Sequence, residues 1–434
     1  MSDESTDEIL YPNRGTSGDG DDTGRVSRRT LIASSAVAGT SATAGCTGLT
    51  GGDGSGGGSG DAGPPTVFVF NTGDMTVSVI DAAADELVTT TYLGATASFP
   101  SNQYLVNQLD QDRSIAWLNV DNGVRGVDVA SLSEETSFET GSGANWQEVT
   151  PDGNHLIVSA REPVHKQFRI DADPSSDTFG DVTAAINRQP EGGRGDNEGP
   201  GPCDITIHPD GEYAFVPDIY SDTLTVLSID PFEIVTQVGV EPVVDGVDAV
   251  APWMDTATWD GETLLVENNE GEHGTESIWD VSDPENPEEL TRLTAEDNLG
   301  ALPLTSEVGP DSQTAYVFTA NSKDVTVVDL ASGDVTGRLD LGGSAFVGTW
   351  GPAREKLYVP VQTSDEVKVI DHAAGEITAT ISVGSKPYGA TAGNVRPDTD
   401  TASNLMATMA RLGIEFSNAG TTYCIGNCAC GHQL

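Results

Sequence analysis

Hydrophobic and polar positions alternate along this chain in short bursts separated by clusters of Asn, Asp, Gly and Ser. The stretch from Ala315 to Gly343 shows the unit most clearly. Ala315–Thr319 is aromatic and β-branched, and Asn321–Asp324 is a turn. Val325–Leu330 is a second strand, Ala331–Asp334 turns again, and Val335–Leu341 is a third strand. Strands of this length bounded by turn formers predict an antiparallel meander. A single meander cannot bury both of its faces, so the fold depends on whether the pattern recurs.

It recurs along most of the chain. Thr66–Phe70, Asn71–Asp74 and Thr76–Asp81 form the first copy, and Ser114–Trp117 with Arg125–Val129 the second. Further copies start at His155, Tyr213 and Thr263, then in the stretch at Ala315, and last at Lys356. Successive starts lie roughly 40–60 residues apart, the period of propeller blades. A fourth strand precedes each repeat. Gly143–Gly153 and Gly201–Gly211 show it best, each ending in Pro-Asp-Gly, with looser versions at Asp245–Pro252, Ala301–Gly309 and Ser344–Gly351. The copy at Thr66 lacks this strand, while Ser385–Ala392 has the strand but no repeat after it. The expectation is an all-β, seven-bladed β-propeller of four-stranded antiparallel blades, its ring closed by the C-terminal inner strand joining the N-terminal blade. A sandwich or a solenoid leaves the missing strand unexplained and its edges open.

Charge narrows the partners. The chain has 434 residues, 68 Asp and Glu against 20 Lys and Arg, and a net charge of −48. Phosphate neutralisation needs a basic surface, so no nucleic-acid partner is expected. Disorder is disfavoured after residue 65, because acidic disordered chains lack runs of β-branched and aromatic residues. Carboxylate excess with only five lysines resembles the surface of proteins from extreme halophiles, kept hydrated in concentrated salt.

The N-terminal region predicts export. Arg28-Arg29 precedes Leu31-Ile32 and the small apolar run Ala33–Ala44, as in a twin-arginine signal. Thr43-Ala44-Gly45-Cys46 resembles a lipobox, in which Cys46 carries the lipid and becomes the mature N-terminus. Thr47–Pro65 is a Gly/Ser-rich coil ended by a Pro pair. The expected organisation is therefore 1–46 signal and lipobox, 47–65 tether, 66–393 propeller and 394–434 tail. The membrane, reached through Cys46 at the outer face, is the expected anchor, and the protein is expected to be a monomer.

The segments YVFTANSKDVTVVDLASGDV and KLYVPVQTSDEVKVIDHAAGEITATISVGSKPYG resemble the YVTN-type seven-bladed propeller repeat, here in what resembles a twin-arginine-exported haloarchaeal lipoprotein. Ile278–Pro287 is similar to a repeat of some surface propellers. The likeness covers about residues 66–393 and implies the fold. Propellers of this kind include binding proteins, surface-layer proteins and redox enzymes, so function has to come from sites.

In a propeller the turns between second and third strands share one face with the loops entering each inner strand. Three segments with unusual content fall there: Ser159–Lys166, Arg188–Pro200 leading into Cys203 and Asp204, and Asn268–Glu276. Inner-strand starts add Trp146, Asp248, Phe346 and Tyr388. Arg161, His165, Arg194, Asp204, His273 and Tyr388 are the candidate ligand residues, suited to a small anionic or peptide ligand. The opposing reading is solvated loops and channel-filling aromatics. Asp171–Asp177 lacks the Gly and bidentate Glu of a calcium loop.

The tail holds Cys424, Cys428, Cys430 and His432, soft and borderline donors that suit copper or zinc. The spacing of Cys424, Cys428 and His432 resembles the loop of dinuclear copper electron-transfer centres, though no cupredoxin barrel precedes it. Nitrous-oxide reductase joins such a centre to a propeller, but its catalytic cluster needs more than the six histidines of this chain. Disulfides are the other reading, since loss of Cys46 leaves four cysteines in an exported protein. No Ser-His-Asp order, phosphate loop, HExxH or haem-attachment motif is present. Two expectations result. One is a non-catalytic, lipid-anchored binding module with a protein or small-molecule ligand. The other is a metal-handling or electron-transfer protein using the tail.

Overall fold

In the computed structural model, residues 63–93, 109–110, 113–120, 122–143 and 145–397 are described. They form seven sheets with antiparallel pairing between neighbouring strands, six of four strands and one of three. Numbered along the chain, blade 1 holds Thr66–Asn71, Thr76–Asp81 and Glu86–Tyr92, with Pro387–Gly393 as its inner strand. Blade 2 is the three-stranded sheet, beginning at Ile115–Val120. The inner strands of blades 3 to 7 are Asn145–Val149, Thr206–Ile207, Pro252–Ala257, Pro303–Val308 and Thr349–Trp350.

The middle strands are buried on both faces, and their period of two sends alternate residues to the two neighbouring blades. Val67 and Val69 pack with Tyr358, Val367 and Val369 of blade 7. Phe68 and Phe70, from the same strand, pack with Ala116, Leu118 and Val127 of blade 2. An apolar cluster of this kind lies at every junction, including Trp117 with Leu156, Ile157 with Ile207, and Phe215 with Leu264. Leu265 with Val317 and Phe318 with Leu357 complete the ring. Outer strands lack a second neighbour and alternate between exposed and partly buried, as in Asp334–Asp340.

The closure is as expected. Phe68 pairs with Thr391 and Val69 with Ala390, so the last strand supplies what the first blade lacks. Just beyond it, Arg396 donates to the Pro65 carbonyl at 3.0 Å and the Thr66 hydroxyl at 3.2 Å, and pairs with Asp81 at 3.1 Å. One expectation is corrected. The inner strand of blade 5 is Pro252–Ala257 rather than Asp245–Pro252. Trp259-Asp260-Gly261 takes the place of the Pro-Asp-Gly turn there, with Gly261 at φ +73, and Val243–Asp248 is a loop.

Candidate functional site

Inner strands bring their first residues to the channel, and these residues fill it. Trp146 of blade 3 stacks on Phe346 of blade 7 at 5.9 Å, and Phe346 stacks on Tyr388 of blade 1 at 5.1 Å. Cys203, Trp253, Met254, Leu302 and Leu304 from blades 4 to 6 pack into the same cluster. The loop-face end of the channel is thus an apolar plug built by six blades. Tyr388, a candidate ligand residue, is buried in it. Cys203 is a free thiol that accepts from Arg161 Nη1 at 3.2 Å, and burial pushes its pKa to about 12. It is neither a ready nucleophile nor part of a disulfide.

Further along the inner strands, and on the second and third strands of blade 5, lie carboxyl groups that the sequence does not single out. Glu148, Asp255, Glu267, Glu276 and Glu307 are buried together with Asp204. Burial raises all six. Asp204 is pushed to about 7 and Glu267 to about 8, and the like charges of Asp204 and Glu267 raise Asp255 further. Backbone N–H groups limit the cost at two of them. Ile207 N–H donates to Glu148, and Ile205 and Asp255 N–H donate to Asp204 at 2.8 and 3.3 Å. Register explains Glu148. It pairs with Ile157 as Thr206 pairs with Phe215 and Thr256 with Leu265. The hydroxyls of Thr206 and Thr256 donate to the inner-strand carbonyls of Asp255 and Ser306 in the next blade, at 2.8 and 3.0 Å. Glu148 makes the corresponding interblade bond with a carboxyl group.

The loops of blades 3 and 4 gather Arg161, His165 and Arg194 in one region, but each is engaged. Arg161 pairs with Glu162 at 2.7 Å. His165 is buried edge-on to Tyr220, and burial lowers its pKa. Arg194 pairs with Asp222 and donates to the Ile219 carbonyl at 3.1 Å. The neighbouring Arg188 is fully buried against Asp218 at 2.8 Å, with Glu191 at 2.7 Å and Thr225 at 3.0 Å. Burial opposes its charge, but Asp218 and Glu191 outweigh that and hold the guanidinium ionised. This is an interblade latch.

His273 lies elsewhere, in a loop-face groove of about 690 Å³ on blade 5. Its Nε2 contacts the Leu299 carbonyl at 2.9 Å. The six candidate ligand residues therefore divide among the plug, the buried channel, the blade 3–4 loops and this groove. Asp248 is exposed, not in the channel. His372 bonds Tyr316 at 2.9 Å and packs edge-on to Trp350. Asp171 turns its carboxylate to Ser176, Thr178 and its own loop. Among the described residues no group of three or more His, Cys, Asp or Glu is placed to hold a metal ion, and no helix is long and apolar enough to cross a membrane. Arg28, Arg29, Cys46, Cys424, Cys428, Cys430 and His432 lie outside the described residues.

No family model and no curated protein matches the chain. Solved structures do match. The periplasmic gluconolactonase of Pseudomonas aeruginosa aligns with TM-score 0.58 at 15% identity, over 76% of this chain and 99% of that one. A putative 6-phosphogluconolactonase from Bacteroides uniformis gives 0.56 at 13%, over 76% and 99%. A protein of unknown function from Desulfotomaculum acetoxidans gives 0.56 at 15%, over 77% and 100%. At such identities the likeness shows the fold: the chain is a seven-bladed β-propeller of the shape that gluconolactonase-like proteins share.

Proposed function

We propose that this protein is an exported, lipid-anchored propeller that binds a partner on its loop face and performs no catalysis. The observation that carries the reading is the plug of Trp146, Phe346 and Tyr388. It takes the channel mouth away from any ligand, while the groove beside His273 stays open. The chain enters the ring at Thr66, on the face opposite the loops. The acidic surface suits work in concentrated salt.

Two measurements test this. Cys46→Ser protein expressed in the native host is expected in the soluble fraction, with the wild type in the membrane fraction; retention of the variant on the membrane overturns the anchor. The gluconolactonase names among similar folds supply the catalytic alternative. Hydrolysis of gluconolactone by the purified protein is expected to match the spontaneous rate, and turnover above it would replace the binding reading with an enzymatic one.

A further inference from the structure

We infer that the blade 5 groove takes a cationic, partly apolar segment of a partner protein, an extended stretch in which Lys or Arg stands beside an aliphatic side chain. This rests on the reading of the loop face as the binding face. Two walls of the groove are fixed to one buried carboxylate. Glu270 accepts from the Val243 and Val244 N–H groups at 2.5 and 2.7 Å on one oxygen. On the other it accepts from Thr275 Oγ1 at 3.0 Å and Arg292 Nη1 at 2.8 Å. The loop after blade 4 and the hairpin turn of blade 5 thus share an anchor, and Thr294 starts the third wall with a capping box to Asp297. A groove built in advance loses little entropy when it is filled.

Its lining is of two kinds. Val243, Val244 and Val247 provide apolar surface, and Val243 is 52% exposed. Gly271, at φ +67, brings the hairpin close enough that a Cβ there would touch Val244 and Val247 at 3.5 Å. Asp245, Glu272 and Glu296 stand exposed around the valines. Lys and Arg are absent from the described lining, and the nearby Arg292 is committed to Glu270 and to Glu289 at 2.6 Å. Carboxylates without counter-charge repel an anion and favour a cation, and the valines reward an aliphatic neighbour. A second copy of this chain is a poor occupant, because acidic residues outnumber basic ones 68 to 20 and would meet their own kind. The volume lies within the roughly 300–1,000 Å³ range of ligand pockets, enough for a few side chains.

The experiment uses the full chain and three labelled heptapeptides: Gly-Lys-Leu-Lys-Val-Lys-Gly and its counterparts with Glu or Ser at the Lys positions. Fluorescence anisotropy is read at low salt and in molar salt. The Lys peptide is expected to bind at both. Glu272→Lys with Glu296→Lys should weaken it at least tenfold at low salt, and Val243→Ser severalfold at both. The Glu peptide should not bind. Lys-peptide binding that salt abolishes and Val243→Ser leaves unchanged is mere attraction to an acidic surface, and overturns the inference. Failure of every peptide, or equal binding of the Ser peptide, overturns the cation preference. If Ser-peptide binding is lost in Val243→Ser, the groove survives as a binding site without that preference. Lys-peptide binding indifferent to every groove substitution overturns both the inference and the groove as the binding site. The substituted residues are exposed, and matching melting curves establish that the variants are folded.

Discussion

Glu267 and Glu276 stand directly opposite each other on the second and third strands of blade 5, both fully buried on the face toward blade 6. Neither carboxyl oxygen of Glu276 has a hydrogen-bond partner among the described residues, and Glu267 has the Ser306 hydroxyl beside it. Like charges directly opposite on neighbouring strands destabilise a sheet. The pair is therefore neutral or shares one negative charge, and folding brings protons into the ring.

The consequence for pH runs opposite to ordinary acid denaturation. A carboxyl group raised by burial keeps its proton in the native state, while the unfolded chain loses it above its ordinary value of 4.5; Glu267 holds its proton to about 8. Native stability is complete below the lower value and falls as pH rises through the interval, by about 1.4 kcal/mol per unit for one such group. Melting temperature at fixed salt is expected to fall from pH 5 to pH 8, and Glu267→Gln to flatten that slope. Parallel profiles for variant and wild type would refute the assignment. The acid limb has separate causes. Hydrogen bonds from Thr150 and Asn154 outweigh burial and hold Asp152 low, and stability from such groups is lost as pH falls through their lowered values.

Phe346 joins Trp146 to Tyr388, so it is the residue on which the plug depends. Phe346→Ala leaves a cavity between the rings of Trp146 and Tyr388 and is expected to cost about 3–5 kcal/mol. Phe346→Leu should cost about 1–3 kcal/mol, since it keeps most of the apolar contact. Urea midpoints measure both. If alanine costs no more than leucine, the stack does not hold the channel closed.

The latch between Arg188 and Asp218 gives a different test. Asp218→Ala leaves the buried guanidinium with Glu191 as its remaining carboxylate, and is expected to cost about 3 kcal/mol by urea unfolding. Arg188→Met combined with Asp218→Leu removes both charges at similar volume, and should cost less than Asp218→Ala alone. A double variant as unstable as the sum of its singles would mean that Arg188 and Asp218 do not couple, and would overturn the latch.

The repeat was legible in the sequence because a propeller blade is a local object. Val67–Phe70 and Ala214–Val216 are unbroken apolar runs because each lies between two neighbouring blades, and the strand absent before Thr66 was countable. The error at Asp245–Pro252 arose because Val247, Val250 and Pro252 mimic an inner strand, and the true turn at Trp259-Asp260-Gly261 lacks its proline. The buried acids were not legible. In a chain of net charge −48, Glu267 looks like any other carboxylate until register shows it facing Glu276. For the candidate ligand residues, sequence does not say that Tyr388 points into a stack while His273 borders a groove. One signal was available: Glu148 and Glu307 interrupt a position where other inner strands carry Thr206, Thr256, Thr349 and Thr391.

The closing strand gives two truncations with different expected outcomes. Among the described residues, pairing with blade 1 ends at Gly393, and Arg396 just beyond it contacts Pro65, Thr66 and Asp81. Removing residues 398–434 leaves every contact described above in place, and is expected to change stability by no more than about 0.5 kcal/mol. Removal from Pro387 onward deletes the inner strand of blade 1, unpairs the edge of Thr66–Asn71, and should replace one cooperative melt with a broad transition and self-association. Arg396→Ala should fall between them, at about 1 kcal/mol. The shorter truncation also tests the proposed use of Cys424, Cys428, Cys430 and His432. Copper and zinc content, measured on wild type and on this still-folded variant after supply of both metals, should differ by a stoichiometric amount if the tail holds an ion. Equal content in the two proteins would end that proposal without disturbing the ring.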